Sequence, residues 1–290
     1  MTAEPGDIVL VRTGQIHWFK QGDNRRYADI SPGIGTPLAG YSGRHPKEST
    51  GVRDTCEVSA LALSDGKDTV ILVGSDMLII PPNLSEGVRA KVAEATGGKI
   101  TGDDILFNAS HTHCGPGGFG PGLVAQFSAG KYDPKIPEYL ISHFSDAIIT
   151  AYKSLAPAAL ASGKFDLPEY IRNRCDRQEV DPILNFLVVK HDDGTQCYLV
   201  RYSAHPTTFG QHQMEMSAEY PGEIKRYIEA QTHQTAEYMS GAVGAMGPHA
   251  PDGPTEDARV KAMGEAIGKR VLEAAATALQ APVEARRTGT

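Results

Sequence analysis

The stretch that decides how this chain is organised is ILFNASHTHCGPGGFGPG, residues 105–122. An apolar, strand-like segment is followed by His111 and His113, and then by a loop rich in glycine. Side chains two residues apart in an extended strand point to the same face, so the two imidazoles are expected to aim at one point. Neutral imidazole binds zinc, iron, nickel and copper. The pattern predicts the beginning of a metal site, and an exposed His-x-His turn is the alternative.

A third histidine lies in a similar position further along the chain. His205 follows an apolar strand-like segment, as does the glycine-rich segment 240–248. Ligands of α/β proteins bind beyond the carboxyl ends of the strands, so these segments are expected to meet the first histidine pair. For His205 taken alone, a buried histidine that bonds a neighbouring carbonyl is an equal alternative.

Composition bounds the class of protein. The 290 residues are 40% hydrophobic and 22% charged, as in ordinary globular domains. A net charge of -7 without a basic cluster argues against nucleic acid as a partner. No segment approaches the roughly 20 apolar residues of a membrane span.

The cysteines and the N-terminus bear on location. The four cysteines lack CxxC spacing and are too few for a disulfide scaffold, which favours reduced thiols. The first residues lack the basic and apolar regions of a signal peptide. A cytoplasmic location is therefore predicted, with secretion after processing left open.

Hydrophobic periodicity predicts alternating strands and helices without a long linker. The sequence thus indicates a single α/β domain over residues 1–290, with a mixed sheet flanked by helices. Strands are predicted at 58–63, 69–74, from 105, 158–165, 183–190, 197–204 and 237–243, and helices at 84–95, 138–154, 221–230 and around 260–271. Residues 31–55 are predicted to form a long ordered loop.

Several segments, in order over about residues 30–250, carry a resemblance to a known family. The His-Thr-His-Cys-Gly-Pro-Gly-Gly run is the most specific of them. Together they resemble the N-terminal domain of the neutral/alkaline non-lysosomal ceramidase family. The matching segments are Gly35–Tyr41 with Thr50–Val52, Ala109–Gly118, Asn173-Arg174, Ala204–Thr207 and Ser217–Gly222.

The resemblance implies a zinc-dependent amidase with a ceramidase-like α/β fold. By position in the family motifs, His111 and His205 are the expected zinc ligands. His113 and Arg174 are expected to line the site and assist the chemistry. His113 would hydrogen-bond a developing oxyanion or move a proton, and Arg174 would hold a substrate oxygen or carboxylate. Close backbone approach to the substrate is expected at Gly40 and Gly117.

The chain departs from the family pattern at two positions. Ala245 stands where the family commonly has aspartate, and Gly247 stands where it has the ceramidase serine. The family's further zinc ligands, a glutamate and a tyrosine, belong to a C-terminal portion that this chain is expected to lack. Local substitutes are conceivable, although each is more readily structural: Glu219, His212, His249 and Asp252.

Two functions therefore compete. One is a zinc-dependent hydrolase that uses metal-activated water to cleave an amide, either a ceramide-like N-acyl compound or a smaller soluble amide. No apolar membrane-docking helix is predicted, so the smaller soluble amide stays a candidate substrate. The other is a non-catalytic subunit or binding module that keeps the scaffold with an incomplete or inactivated metal site.

Three further expectations complete the prediction. The last helix carries an apolar face at Val260–Val271, which predicts a second polypeptide or a homo-oligomer to cover it. Cys114 is expected to be a packed thiol. Asp76 is expected either to hydrogen-bond a ligand histidine or to cap the turn that follows it.

Overall fold

A computed structural model of the chain describes residues 9–11, 29–175 and 179–280. Its centre is a mixed sheet of eight strands in the order β11-β9-β8-β6-β1-β3-β4-β5. The β4–β5 and β9–β11 pairs are parallel, and the other pairs are antiparallel. The strands are β1 (Val9–Val11), β3 (Val58–Ser64), β4 (Thr69–Ser75), β5 (Ile105–Ala109), β6 (Leu155–Asp166), β8 (Ile183–His191), β9 (Gln196–Tyr202) and β11 (Thr235–Ser240).

Two short strand pairs flank the large sheet. The strand β2 (Gly51–Val52) runs parallel to β10 (Glu215–Met216). The strand β7 (Ile171–Asn173) runs antiparallel to β12 (Met246–Pro248). The second pair sets Gly247 opposite Arg172, two residues before Arg174.

Five α-helices lie in the described part of the chain. They are α1 (Pro82–Ala95), α2 (Leu123–Ala129), α3 (Lys135–Lys153), α4 (Glu219–Thr232) and α5 (Glu256–Ala278). None of them is long and apolar enough to cross a membrane.

The elements form four layers, α/β/β/α, because the sheet folds back on itself. One outer core joins α1 and α3 to β3 and β4. The other joins α4 and α5 to β8, β9 and β11. A smaller inner core lies between the two halves of the sheet and includes Leu61 from one half and Val189 and Leu199 from the other.

The two edges of the large sheet meet where it folds back. The Asn108 side chain accepts a 2.8 Å hydrogen bond from Ser240 N and donates a 3.1 Å bond to Ser240 O. A Cβ atom on Gly74 would lie only 2.6 Å from Tyr238 O. This contact sets the end of β5, which precedes the first histidine pair, beside β11, which pairs with β9 and precedes the glycine-rich segment.

The predicted fold class is confirmed, and the regular elements are close to their predicted bounds. The strand predicted at 237–243 instead covers Thr235–Ser240, because its neighbour β9 ends at Tyr202, the partner of Ser240. The periodicity did not indicate β1, α2 or the two short strand pairs. Each of these is too short for a repeat in the sequence to stand out.

The last helix corrects the argument for a partner. The apolar face of α5 is covered within the chain, since it packs against α4, β6 and β8. Its residues Val260, Met263, Ile267 and Val271 are fully buried. The apolar face from which a second polypeptide was predicted is therefore covered within the chain. The fold gives no support to the predicted partner or oligomer.

The meeting of the sheet edges predicts an effect of Gly74→Ala. The added Cβ would push against Tyr238 O and against the Glu237 side chain at 2.9 Å, so we expect unfolding to become easier by about 1–3 kcal/mol. Denaturant titration measures this change. The matched control is Gly244→Ala, whose Cβ would meet nothing within 4 Å; equal stability of the two variants would contradict the close contact.

Candidate metal centre

The first histidine segment leaves the sheet through a turn. After β5 ends at Ala109, His111 N donates to Met77 O at 3.0 Å and His113 N donates to Pro206 O at 3.4 Å. His111 has a φ of 68°, in the left-handed region that non-glycine residues rarely adopt. The two imidazoles do converge, with ring centroids 5.3 Å apart. The predicted reason was wrong, because a left-handed turn and not an extended strand aims them together.

The second segment places His205 beyond the end of β9. His205 N donates to Met246 O at 2.7 Å, which ties it to the Gly-rich segment after β11. Its Nδ1 lies 3.1 Å from Val243 O. The side chain is almost fully buried. The predicted meeting of strand-end segments is therefore observed.

The three imidazoles form one cluster. Each of His111, His113 and His205 offers a ring nitrogen, and these atoms all lie within 4.8 Å of one another. The rings of His111 and His205 have centroids 4.6 Å apart, and those of His113 and His205 are 4.8 Å apart. No other group of this kind occurs among the described residues.

The cluster has the donor chemistry of a metal site. His111 Nδ1 lies 2.6 Å from Leu78 O, and His205 Nδ1 bonds Val243 O, so both rings carry the proton on Nδ1. The Nε2 lone pairs of both rings are thereby left free, the arrangement usual for ligand histidines. The Nε2 atoms of His113 and His205 approach to 2.9 Å, and His113 Nδ1 is buried without a described partner. With its proton on Nε2, His113 donates to the unprotonated Nε2 of His205, and a cation bound at the cluster would take the place of that proton.

The environment keeps the rings neutral. Burial, followed by the neighbouring His205, lowers the pKa of His113 to about 3. Burial and then His111 lower the pKa of His205 to about 4. Burial also lowers the pKa of His111. Neutral imidazole is the form that binds a metal or accepts a proton.

Arg174 lies at the rim of the cluster. Its side chain is exposed, and its Nε donates to Gly244 O at 2.9 Å. Its charge contributes to the lowered pKa values of the three histidines, which shows its proximity to them. Gly247, at the family's serine position, lies beside Arg174. A Cβ atom placed on Gly247 would lie 3.6 Å from Arg174 Cβ. The structure therefore brings Arg174 and the altered position to the centre together.

The two predicted substrate-contacting glycines differ in surroundings. A Cβ on Gly40, which has a φ of 109°, would lie 2.6 Å from His113 Cβ. Gly40 thus provides the room that the His113 side chain occupies. Gly117 is buried, and a Cβ there would lie 2.2 Å from Ala129 O and 2.8 Å from Pro37 O. Its packing explains the glycine, and its predicted contact with substrate stays a prediction.

Sequence reasoning missed Arg44, which holds the backbone of the site. The guanidinium is buried and donates to the carbonyl oxygens of His113 and of Gly210, the latter at 3.2 Å. It also bonds Cys114 Sγ at 3.3 Å and stacks on Tyr41 at 4.7 Å. No local pattern marked Arg44, because the carbonyl groups that it binds, in His113 and Gly210, are distant in sequence.

Asp76 is a correction, since neither predicted role is observed. Its carboxylate accepts from Lys225 Nζ at 2.7 Å and from Glu57 N at 2.9 Å. The ligand-type histidines bond backbone carbonyls instead. Asp76 therefore links β4 to α4.

The proposed substitute ligands lie outside the cluster. Glu219, His212, His249 and Asp252 do not belong to the metal-binding group found among the described residues. His249 and Asp252 line a separate cavity of about 300 Å³.

Cys114 is a packed thiol, as predicted, and burial raises its pKa to about 12. All four cysteines lie in the described part of the chain, and none forms a disulfide.

A short helix beside the centre exposes apolar side chains. Leu123, Val124 and Phe127 on α2 are 86%, 85% and 70% exposed. Ser128 O of the same helix accepts from Gly40 N at 2.8 Å, and Gly40 contacts His113. The sequence did not indicate this helix, because seven residues between glycines are too few for a periodic signal.

Fold and site together define a four-layer α/β protein with a histidine centre, fit for a metal ion, beyond its strand ends. Residues 27–251 match the family described as "Neutral/alkaline non-lysosomal ceramidase, N-terminal". The chain belongs to this family. The resemblance seen in the sequence motifs is thereby confirmed.

Two kinds of relative agree with this membership. A protein named neutral ceramidase, from Mycobacterium tuberculosis (strain ATCC 25618 / H37Rv), is 21% identical over 222 residues, which are 70% of this chain and 34% of the relative. The crystal structure of neutral ceramidase from Pseudomonas aeruginosa matches with a TM-score of 0.80 and 18% identity over 96% of this chain and 45% of that one. A structure titled "Ceramidase complexed with C2" matches with a TM-score of 0.79 and 18% identity, over 95% of this chain and 44% of that one. The chain thus spans less than half the length of these relatives.

The geometry of the cluster predicts the outcome of a metal-binding series. We expect His111→Ala and His205→Ala to abolish zinc retention, because each removes an Nε2 that a backbone bond has oriented. His113→Ala should keep the metal, since its ring has no such bond. Metal analysis after zinc loading and dialysis measures this; loss of zinc from His113→Ala alone would reverse the assigned roles.

Proposed function

We propose that this chain carries the catalytic metal centre of a zinc-dependent hydrolase that cleaves an N-acyl amide. The observation that carries the proposal is the neutral cluster of His111, His113 and His205, found beyond the strand ends of a chain that belongs to the ceramidase family. His111 and His205 would hold the ion. Zinc held there would supply Lewis-acid chemistry, which polarises an amide carbonyl and lowers the pKa of a bound water to about 7.

The remaining residues have complementary roles in this proposal. His113 lies beside the reacting position and, being neutral, either accepts the proton of the attacking water or hydrogen-bonds the developing oxyanion. Arg174 at the rim binds an oxygen of the substrate, and its Nε bond to Gly244 O fixes the side chain. Arg44 fixes the His113 backbone from the buried side. Attack by water needs no serine, which agrees with glycine at position 247.

The surroundings of the centre favour an amide with an apolar chain over a small soluble one. Leu123, Val124 and Phe127 expose apolar surface on a helix that is bonded to Gly40, next to His113. Burial of such surface against an acyl chain is favourable by roughly 25 cal/mol per Å². A ceramide-like substrate supplies such a chain, and the small soluble amide becomes the weaker candidate.

The second candidate is a binding module with the same scaffold. Ala245 and Gly247, where the family has aspartate and serine, favour it.

The first proposal has two further parts. A second polypeptide or another copy of the chain would fill the remaining metal positions, and the protein would be cytoplasmic. No contact among the described residues supports the partner or the location.

Turnover by the zinc-loaded protein separates the two candidates. We expect release of fatty acid from N-acyl substrates, lost on chelation and restored by zinc. His113→Ala should lower kcat by about 100-fold or more at unchanged zinc content, because it removes transition-state stabilisation. Less than about 0.2 zinc per chain after loading, without turnover, would instead identify the binding module.

The apolar helix yields a separate prediction about substrate choice. Leu123→Ser with Phe127→Ser should raise KM for a long-chain N-acyl substrate several-fold and leave a short-chain analogue unaffected, because only the long chain reaches α2. Kinetics on a chain-length series measure this. The control is Leu106→Ser, since Leu106 is also an exposed apolar residue, at 56%, but lies on β5; an equal effect on both chain lengths would contradict the assigned surface.

A further inference from the structure

The turn that begins α4 carries a buried acid that the proposed chemistry does not use. Glu219 is fully buried and has a φ of 62°, in the left-handed region. Non-glycine residues are strained in this region and persist there where the surroundings over-determine them. A strained, buried glutamate that lies outside the histidine cluster requires a reason.

The carboxylate of Glu219 binds the backbone that follows His205. Its Oε1 accepts from Phe209 N at 2.7 Å, and its Oε2 accepts from Tyr220 N at 3.0 Å. Burial raises the pKa of Glu219 to about 7 even though these hydrogen bonds lower it. The side chain therefore acts as an acceptor for N–H groups of a loop that begins at a histidine.

The same turn binds the other histidine segment. Thr112, between His111 and His113, donates its Oγ1 hydroxyl to Ser217 O at 2.8 Å. Ser217 N donates in return to Cys114 O at 3.0 Å. The turn 217–220 thus joins both histidine segments through separate bonds.

The turn is itself fixed from behind. Asp54 accepts from Ser217 Oγ at 2.6 Å and from Ala218 N at 2.8 Å. Tyr220 donates its hydroxyl to Ala204 O, on the other side of His205. His205 is therefore held from both of its flanks by two consecutive residues, Glu219 and Tyr220.

We propose that Glu219 is a positioning residue that sets the His205 segment against the His111–His113 segment. It touches neither substrate nor the reacting atoms, and it acts through the loop after His205. The inference rests on the proposed function only in taking the three histidines as the working groups. Its left-handed backbone is the conformation that lets the carboxylate of the first residue of α4 reach Phe209 N.

The test compares two glutamates of one helix. Glu229, also on α4, accepts a backbone hydrogen bond from Ala236 N at 3.2 Å but contacts neither histidine segment. Both oxygens of Glu219 accept an N–H, so Glu219→Gln must set its amide NH2 against one of these donors, whereas Glu229→Gln can keep its bond through the amide oxygen. Only the first variant should alter the imidazoles.

The readout is the ring nitrogen and proton resonances of His113 and His205 in metal-free protein, recorded by NMR. We expect Glu219→Gln to shift both sets of resonances and to weaken Zn²⁺ binding by about 10-fold or more. Glu229→Gln should leave both within the wild-type range. Glu219→Asp, a milder change that keeps the charge, should give intermediate ring shifts and provides the answer if Glu219→Gln does not fold.

Ring resonances of Glu219→Gln, or of Glu219→Asp if only that variant folds, that coincide with wild type would overturn the positioning role. So would equal shifts in Glu229→Gln, since they would report general loosening. The ring comparison requires no turnover. Absence of amide hydrolysis by the wild-type protein would therefore contradict the proposed function and leave this inference standing on its own measurement.

Discussion

The close contact between the two edges of the large sheet is the constraint on which the rest of the molecule depends. Gly74 allows β4 to approach the β11 backbone. The Asn108 side chain hydrogen-bonds both the N–H and the carbonyl group of Ser240, as a neighbouring strand would. An added side chain or a lost amide at this junction would separate the halves. Because the histidine segments leave β5 and β9, they meet only if the sheet is folded in this way.

Buried charge strengthens the same junction. Lys225 on α4 is buried and pairs with Asp76 at 2.7 Å and with Glu57 at 3.0 Å, both from the opposite half of the sheet. Removing one partner of such a group leaves an uncompensated charge and typically costs about 3–5 kcal/mol. The pairing thus fixes α4, and with it the turn 217–220 that binds both histidine segments.

The electrostatics of the centre follow from this packing. The junction buries the three imidazoles, and Arg44 and Arg174 supply positive charge without a carboxylate in the cluster, so the rings are neutral. The acids are placed elsewhere: Asp76 pairs with Lys225, and Glu219 binds backbone. Neutral imidazoles leave ring nitrogens that could hold a cation or accept a proton.

The sequence by itself determined the α/β class, most element bounds, the family and the three histidines. Hydrophobic periodicity and short motifs are local, so they are visible along the chain. Only the tertiary structure decided that the sheet folds back, that a left-handed turn at His111 aims the pair, that Asp76 binds Lys225 and that α5 is covered within the chain. Arg44 was likewise invisible as a site residue, since the site carbonyls that it binds are remote in sequence, and Glu219 was considered only as a conceivable ligand. Contacts between distant segments depend on how the layers pack, and periodicity contains no information about that.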